Sequence, residues 1–511
     1  MSTFNQTPSE ADKASGLADF GYTQQLDRVL SKYAVFALAF AYMSILTGVT
    51  ALFGSGWYFA GPAMWWGWVI VSVGQFFVCL LFAELAAQWP VAGSLYNWSK
   101  KLAAPFLSWL SGWFVALTVL LTIGSITSAL AILLPQISPV FQLVGDGTGP
   151  YDVVQNAVIV GSICLVLVTV LNLANVKLVG RLNNWAVIIE FVLCACLIVG
   201  FLLHAHRGPS VVMETNGTGA GHSFGWLGAL VPAMLIGLWT LYGFDTAASM
   251  AEETKNPRRE GPRAIIYAVV ASAILGAIII MATEMAVKDL ADPNIATGGL
   301  SYMVTSTFGS FFGTLILLGA VIALFACVTT AQSYGARMIF AMARDNRLPF
   351  SRQLSKVNGA KEPIVAIILV CVSNIAVLLL NVQQTQIVAV LASVGTALIY
   401  LAYLLVTIPL LIKRLRGTWP IKHSAGQKEF SLGKWGLPAN IVAVIWGVAM
   451  VLNLIWPRAE VYNATAPYHW YLQWGGVLTV LIVTAAGALY YAVAQRGERS
   501  ATLMNSLAQD H

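Results

Sequence analysis

The sequence predicts an all-α protein that crosses a membrane many times, and three features of its 511 residues support that prediction. First, 58% of the residues are hydrophobic and 10% are charged, whereas soluble domains carry roughly 25% charged residues. The mean hydropathy is +0.75. Second, the apolar runs reach the roughly 20 residues that a helix needs to cross a bilayer, without the alternating period of barrel strands. Third, lysine and arginine are concentrated on one side of these runs.

Twelve runs are long enough to be transmembrane helices. They lie near residues 33–56, 64–88, 105–134, 152–173, 183–203, 226–251, 264–287, 312–343, 363–381, 386–412, 438–456 and 471–494. Of the 28 lysines and arginines, three lie in segments on the predicted outer side, and they are Arg207, Lys288 and Arg458. Positive charge accumulates in cytoplasmic segments, so both termini are predicted to be cytoplasmic. The net charge of +6 then reflects topology, and no binding to nucleic acid is expected.

A single membrane domain is expected at residues 33–494, between cytoplasmic tails at 1–32 and 495–511. The N-terminal tail is polar and has no signal-peptide pattern. All six cysteines lie within the apolar runs, where they serve as small apolar residues, and no metal site is expected. The sequence has no phosphate-binding glycine loop, zinc-protease motif or nucleophile–base pair, so neither an enzyme nor a cofactor is predicted.

Two runs carry glycine-containing interruptions at matching positions. The first reads SILTG at residues 44–48, and the sixth reads TLYGFD at residues 240–245. Transporters built from inverted repeats carry a pair of broken helices at matching places, with the substrate between them. Repeats at about 33–203 and 226–412, followed by two extra helices at about 438–494, would bring the two stretches together. The alternative for residues 44–48 is a notch for close helix packing.

A second glycine cluster in the first run is more conspicuous. Gly54-Ser55-Gly56 lies some 20 residues after Ala34, where a straight helix would leave the membrane. It is therefore interpreted as an exit turn rather than as the break.

Three carboxylates are clear cases of acidic residues within the apolar runs, where an ionised group is costly and is therefore a functional hypothesis. Asp245 could hold a proton, pair with a cationic group of a substrate, or cap the second half of its helix. Glu190 is interpreted as a proton or cation site, or as a partner of a neighbouring helix. Glu84 is expected to pair with a lysine or arginine of an inner loop. In run 8, Thr329 and Thr330 could ligate sodium or substrate, or could bond to their own helix backbone.

A pair of broken helices suits a zwitterion. The N-terminal end of a half-helix presents free N–H groups and a positive dipole end to a carboxylate. The C-terminal ends and unwound carbonyls suit an ammonium group or a metal cation. Trp239 and Tyr242 flank the second interruption and could hold an amine by cation–π contact, or could serve as packing aromatics.

Four stretches together resemble the amino acid–polyamine–organocation (APC) superfamily, and within it the amino acid/choline and GABA permease branch. They are SILTGVTALFGSGWYFAGP, FAELAAQWPVAGSLYNWSKKL, YGFDTAASMAEETKNPRREGPRAI and GARMIFAMARDNRLPF. The resemblance implies a 5+5 inverted-repeat fold in which helices 1 and 6 are broken around the substrate, plus two additional helices. The spacing to Gly93-Ser94-Leu95-Tyr96 places the first break at residues 46–48. Where some proton-coupled relatives have a lysine, this sequence has Glu190, so the coupling ion is a proton or sodium. Asp245 matches a position that is acidic, next to the substrate, in several relatives.

The sequence therefore predicts a permease of the plasma (inner) membrane that imports a small amino acid or amine, GABA-like or choline-like, in symport with protons. The main alternative to symport is exchange of one substrate for another. A ligand sensor and a channel are two further alternative functions. Ser44, Thr47 and Gly48 are predicted to bind a carboxylate, and the amine end is assigned to residues of the second interruption. The full predicted substrate set is Ser44, Ile45, Thr47, Gly48, Trp239, Thr240, Tyr242, Gly243 and Asp245. The predicted coupling residues are Glu190, Asp245, Thr329 and Thr330.

Overall fold

A computed structural model describes residues 20, 22, 24, 26, 28–174, 176–222, 224–359, 362–384, 387–420, 430–463 and 468–494. Within this part of the chain the regular structure is helical and there is no β-strand. One isolated parallel bridge joins Leu30 to Thr254. The predicted C-terminal tail, and the predicted N-terminal tail up to residue 19, lie outside the described residues.

The α-helices of the described residues are numbered here in chain order. They are α1 Lys32–Met43, α2 Ile45–Ala60, α3 Met64–Gln88, α4 Ser94–Leu102, α5 Pro105–Ile137, α6 Asp152–Ala174, α7 Val176–Leu203, α8 Trp226–Ala233, α9 Leu235–Thr240, α10 Thr246–Ser249, α11 Pro257–Met285, α12 Pro293–Arg344, α13 Ser351–Leu354, α14 Ile364–Leu380, α15 Ile387–Leu415, α16 Gly436–Ile455, α17 Ala459–Tyr462, α18 Trp470–Gln473 and α19 Gly475–Ala494.

Helices occupy each of the twelve predicted runs. In the described residues, nine helical stretches are long and apolar enough to cross a membrane, and one of them, Lys32–Gln88, contains two predicted runs. Trp226–Thr240 and Ile364–Leu380 are shorter apolar helices. The chain is therefore a polytopic helical membrane protein, while the number of twelve crossings and the inverted repeat stay predictions.

The outward faces of peripheral helices are apolar, as expected of helices that face lipid. On α6, the side chains of Ile159, Ile163, Val166 and Val170 are each about half exposed. The inward faces of the helices join a continuous apolar core. Because lipid tails solvate apolar side chains, a row of exposed aliphatic residues at helical spacing is stable in a bilayer and unfavourable in water.

The exit turn predicted at residues 54–56 is wrong. Helix α2 continues through these residues to Ala60, and the chain turns at Gly61, where φ is +58°. A Cβ atom on Gly54 would lie 2.4 Å from the carbonyl oxygen of Ala296. The glycine therefore permits the backbone of α12 to pack directly on α2, which is the packing role of small residues in membrane helices.

Candidate substrate site between two interrupted helices

The first interruption is a single residue. Ser44, with φ −12° and ψ 110°, separates α1 from α2, whereas Ile45, Thr47 and Gly48 lie in the first turn of α2. The predicted break over residues 44–48 is therefore too wide. The start of α2 is held locally: the Thr47 N–H donates to Ser44 Oγ at 3.2 Å, and the Gly48 N–H donates to the Ser44 carbonyl at 3.0 Å.

Glu190, from α7, lies at this interruption. Its Oε1 accepts hydrogen bonds from Ser44 Oγ at 2.8 Å and from the Leu46 N–H at 3.1 Å, and the side chain is buried. A carboxylate at the start of a helix is stabilised by the unpaired N–H groups and by the helix dipole. Of the roles considered for Glu190, bonding to a neighbouring helix is the one visible in the structure, and its coupling role stays a prediction.

The second interruption lies where the sequence predicts it. Helix α9 ends at Thr240, residues 241–245 are not helical, and α10 starts at Thr246. Gly243 has φ +87°, and a Cβ atom on it would lie 2.1 Å from the Tyr42 ring. Only glycine fits both the conformation and the space, so this residue fixes the break. The Gly243 N–H donates to the Tyr403 hydroxyl at 3.1 Å.

Asp245 is fully buried and surrounded by hydroxyl donors. Its carboxylate accepts from Tyr334 at 2.7 Å, from Tyr403 at 2.9 Å and from Ser94 at 3.3 Å. Asp245 occupies the N-cap position of α10, but its side chain makes no capping hydrogen bond. The capping role is therefore wrong. Helix α10 is short, and the carboxylate bonds to the three hydroxyls instead of to the N–H groups of the helix.

The two interruptions touch each other at Gly48 and Thr240. A Cβ atom on Gly48 would lie 1.9 Å from Thr240 Oγ1, so only a glycine permits this approach. The Thr240 hydroxyl is held by its own helix, where it donates to the Ile236 carbonyl at 2.5 Å. The start of α2 and the end of α9 thus form one compact junction, as the pairing of the two motifs predicts.

A small cavity with a volume of about 10 Å³ lies at this junction. Six predicted substrate residues line it, whereas Ile45, Gly243 and Asp245 do not. The sequence analysis missed five further lining residues, because they lie outside the glycine motifs; a polar Thr122 in an apolar run was the available signal. The lining residues are Tyr42, Met43, Ser44, Thr47, Gly48, Thr122, Ile126, Trp239, Thr240, Tyr242 and Cys327.

Aromatic rings separate this cavity from Asp245. The Tyr42 ring packs edge-on against Tyr242, with 5.9 Å between centroids, and against Tyr334, at 5.6 Å. Tyr242 faces the cavity and its hydroxyl bonds to that of Thr122, whereas the Tyr334 hydroxyl bonds to Asp245. Asp245 does not line the cavity, and its partner Tyr334 packs against Tyr42, which does.

The two threonines of run 8 point their hydroxyls into their own helix. Thr329 donates to the Phe325 carbonyl at 2.8 Å, and Thr330 donates to the Ala326 carbonyl at 3.0 Å. These are the backbone bonds that the sequence analysis gave as the alternative. Neither residue lines the cavity, which is instead reached from α12 by Cys327.

Glu84 has the structural role that was expected of it. Its carboxylate forms an ion pair with Arg414 and accepts from Trp419 Nε1 at 3.0 Å. Ser431 and the Leu432 N–H, on the far side of the same loop, also donate to it. Glu84 therefore holds the segment after α15 against α3, away from the cavity.

An ionic network closes the predicted inner end of the molecule. Arg337 pairs with Glu253 at 2.5 Å and with Glu362 at 3.3 Å, and Arg344 pairs with Glu252 at 3.0 Å. These buried pairs join α12 to the segment that follows α10.

The same network includes the segment before α1. The Tyr22 hydroxyl donates to Asp345 at 2.7 Å, and the Arg344 guanidinium lies 3.6 Å from the centroid of the Tyr22 ring. Lys100 also pairs with Asp345. Burial lowers the pKa of the Lys100 ammonium group, and the adjacent Asp345 carboxylate opposes that shift.

A further buried carboxylate in the apolar runs is not among the three predicted ones. Glu284, near the end of α11, is fully buried, and neither of its carboxylate oxygens has a hydrogen-bond partner among the described residues. It lies in the seventh predicted run. As a carboxylate within an apolar run, it meets the criterion by which Glu84, Glu190 and Asp245 were selected.

Two helix interruptions that meet at a small buried cavity are the arrangement expected of a membrane transporter with broken helices. An amino acid permease family model matches residues 30–492, and the chain belongs to this family, within the APC superfamily. The chain is 31% identical over 479 residues to the amino-acid permease BAT1 homolog of Oryza sativa subsp. japonica, covering 87% of this chain and 89% of the relative. It is 30% identical over 476 residues to amino-acid permease BAT1 of Arabidopsis thaliana, covering 88% and 89%. Amino-acid permease 2 of Neurospora crassa is 26% identical over 484 residues, covering 88% and 83%. The chain is thus a transporter of amino acids rather than an enzyme.

Proposed function

We propose that this permease imports a small amino acid or amine, GABA-like or choline-like, across the plasma membrane by alternating access and together with a proton. The observation that carries the proposal is the contact between Gly48 and Thr240, which brings two helix interruptions onto one cavity. The cavity has a volume of about 10 Å³, which is room for about one water molecule, so a substrate enters only when the two interrupted helices move apart.

The two ends of the cavity differ in polarity, which suits a zwitterion. The start of α2, at Ser44 and Thr47, presents the positive end of a helix dipole to a carboxylate. The end of α9, at Trp239 and Thr240, presents the negative end and an indole ring to an ammonium group. Choline would use only the second end, because it has no carboxylate.

The ionic network at the predicted inner end supports alternating access. It ties residues before α1, after α10 and at the end of α12 to one another on that side of the molecule. Release of a substrate to that side requires these contacts to open. The excess of lysine and arginine in the predicted inner segments supports placing this side, and both termini, in the cytoplasm.

Coupling to a proton is assigned to the two buried carboxylates at the interruptions, Glu190 and Asp245. Each is in the part of the membrane where an uncompensated charge is costly, and each is bonded to groups that belong to an interruption. Sodium is the alternative coupling ion, with Thr329 and Thr330 as candidate hydroxyl ligands.

Uptake by proteoliposomes that contain the full chain tests the proposal. Labelled GABA, L-alanine, choline and putrescine are supplied under imposed proton or sodium gradients, with protein-free liposomes as the control. We expect at least one compound to accumulate when the outside is acidic, and a protonophore to abolish this. Gradient-insensitive uptake that needs internal substrate would indicate exchange, and saturable binding without accumulation would indicate a sensor.

A further inference from the structure

We propose that Glu190 and the carboxylate of the substrate use the same helix start in turn, so that binding of a carboxylate substrate places a proton on Glu190. This inference rests on the proposed function and specifies how its proton would be coupled. It is carried by the hydrogen bonds of the first interruption and by the cavity beside them.

The backbone donors at the start of α2 already have partners. The Leu46 N–H donates to Glu190, and the N–H groups of Thr47 and Gly48 donate to Ser44. The Ser44 hydroxyl itself donates to Glu190. A substrate carboxylate therefore finds these donors engaged, and the Glu190 carboxylate already occupies the position that the helix start offers to an anion.

The cavity beside this helix start is nevertheless equipped for a polar ligand. Ser44 and Thr47 contribute to its wall. Trp239 lines the same cavity, its side chain is 5% exposed, and its Nε1–H has no partner within the part of the chain that the structure describes. A buried N–H donor that faces a cavity is satisfied when a ligand brings an acceptor.

Charge decides what happens when both carboxylates are present. A substrate carboxylate that takes the Ser44 and Leu46 donors lies next to Glu190, and two adjacent anions in a buried site repel each other strongly. A proton from the outer solution on Glu190 removes the repulsion, since the helix start then holds one negative charge before and after binding. The proton leaves Glu190 when the substrate leaves. A zwitterionic substrate thus moves one positive charge per cycle.

Among the described residues, no charged side chain acts on Glu190. The titratable groups that face it are the thiols of Cys194, on its own helix, and Cys327, on α12. Asp245 does not line the cavity and is bonded to Ser94, Tyr334 and Tyr403, so it does not share these donors with the substrate.

Binding of two matched pairs of compounds tests the inference. GABA is compared with 4-aminobutanamide, and L-alanine with L-alaninamide, on the purified full chain in nanodiscs between pH 5.5 and 8.5. In the wild type, the Kd of the acids should rise up to about tenfold per pH unit on the alkaline side, which is the linkage of one proton. The Kd of the amides, which have no carboxylate, should not follow this dependence.

Two variants separate Glu190 from other buried carboxylates. Glu190→Gln should bind the acids with no such pH dependence, whereas Glu284→Gln, which alters a buried carboxylate outside the cavity, should retain it. The inference is overturned if acids and amides share one pH dependence, if Glu190→Gln keeps the acid-specific dependence, or if neither amino acid binds at any pH. If Glu190→Gln does not fold, the acid–amide comparison in the wild type decides.

These outcomes differ from a failure of the proposed function. Proton-linked binding without accumulation in proteoliposomes would refute symport and leave the competition at Glu190 intact. Proton-driven accumulation in which acid and amide depend equally on pH would support symport and overturn the competition.

Discussion

Replacing Gly48 by alanine tests the contact on which the substrate cavity depends. A Cβ atom at this position would lie 1.9 Å from Thr240 Oγ1, 2.6 Å from Cγ2 and 2.8 Å from Cβ. Since all three side-chain atoms of Thr240 are too close, rotating that side chain does not remove the overlap. The Thr240 hydroxyl is also tied to the Ile236 carbonyl. The start of α2 and the end of α9 must therefore move apart.

The magnitude follows from the size of the overlap. The closest approach falls about 1.5 Å short of the 3.4 Å at which ordinary van der Waals contact begins. Overpacking of this kind typically costs about 1–3 kcal/mol. If this strain acts on the substrate-bound, closed state, it corresponds to a reduction of about 5- to 150-fold in apparent affinity.

The measurement is the concentration dependence of uptake in proteoliposomes, together with the melting temperature of the purified protein. Thr240→Gly removes every clashing atom, so the double variant with Gly48→Ala should recover a large part of the loss, and the double-mutant cycle isolates the contact. Gly261→Ala is the matched control, because a Cβ atom there would meet only Ala86 at an ordinary 3.9 Å in a helix that tolerates alanine.

Wild-type affinity and melting temperature in Gly48→Ala would refute the described junction. A loss that Thr240→Gly does not relieve would show that Gly48 matters for another reason, such as flexibility of the first turn of α2. An equal loss in Gly261→Ala would attribute the effect to glycine replacement in general.

Three further changes test other parts of the structure. Arg337→Leu leaves Glu253 and Glu362 buried without their cation, so stability should fall by about 3–5 kcal/mol, seen as a lower melting temperature. Glu284→Leu removes a buried carboxylate without a described hydrogen-bond partner, so the melting temperature should rise; a fall would reveal a partner. Thr330→Val removes a hydroxyl that is bonded to its own helix, so uptake should stay near the wild-type rate. If uptake depended on sodium in the wild type and lost that dependence in the variant, Thr330 would have the predicted coupling role.

Local sequence was sufficient for the features that depend on local physics. Apolar runs of bilayer length predicted the helices, because no other backbone arrangement satisfies its hydrogen bonds in lipid. The second interruption was predictable because Gly243 requires a positive φ and adjoins a buried acid. The pairing of Glu84 with a basic loop residue followed from its place near the end of an apolar run.

Tertiary contacts decided the features that the sequence misassigned. The first break is limited to Ser44 because Glu190, 144 residues from Leu46 along the chain, supplies an acceptor to the start of α2. Gly54 lies inside a helix and leaves room for the backbone at Ala296, and its sequence neighbours give no indication of that contact. Cavity residues such as Thr122 lie outside the two glycine motifs, so the assembled fold is needed to bring them to the cavity.

The same contacts distinguish two carboxylates that the sequence left equivalent. Asp245 accepts three hydroxyl donors from α4, α12 and α15, which stabilise its charge without help from a ligand. Glu190 depends on one hydroxyl and on the N–H of Leu46, and these are the donors that a substrate carboxylate would seek. Burial alone would make either acid a proton carrier, whereas competition for donors applies to only one. Under the proposed competition, the proton is carried by the carboxylate that shares a hydrogen-bond donor with the cavity, and the contact with Ser44 points to Glu190.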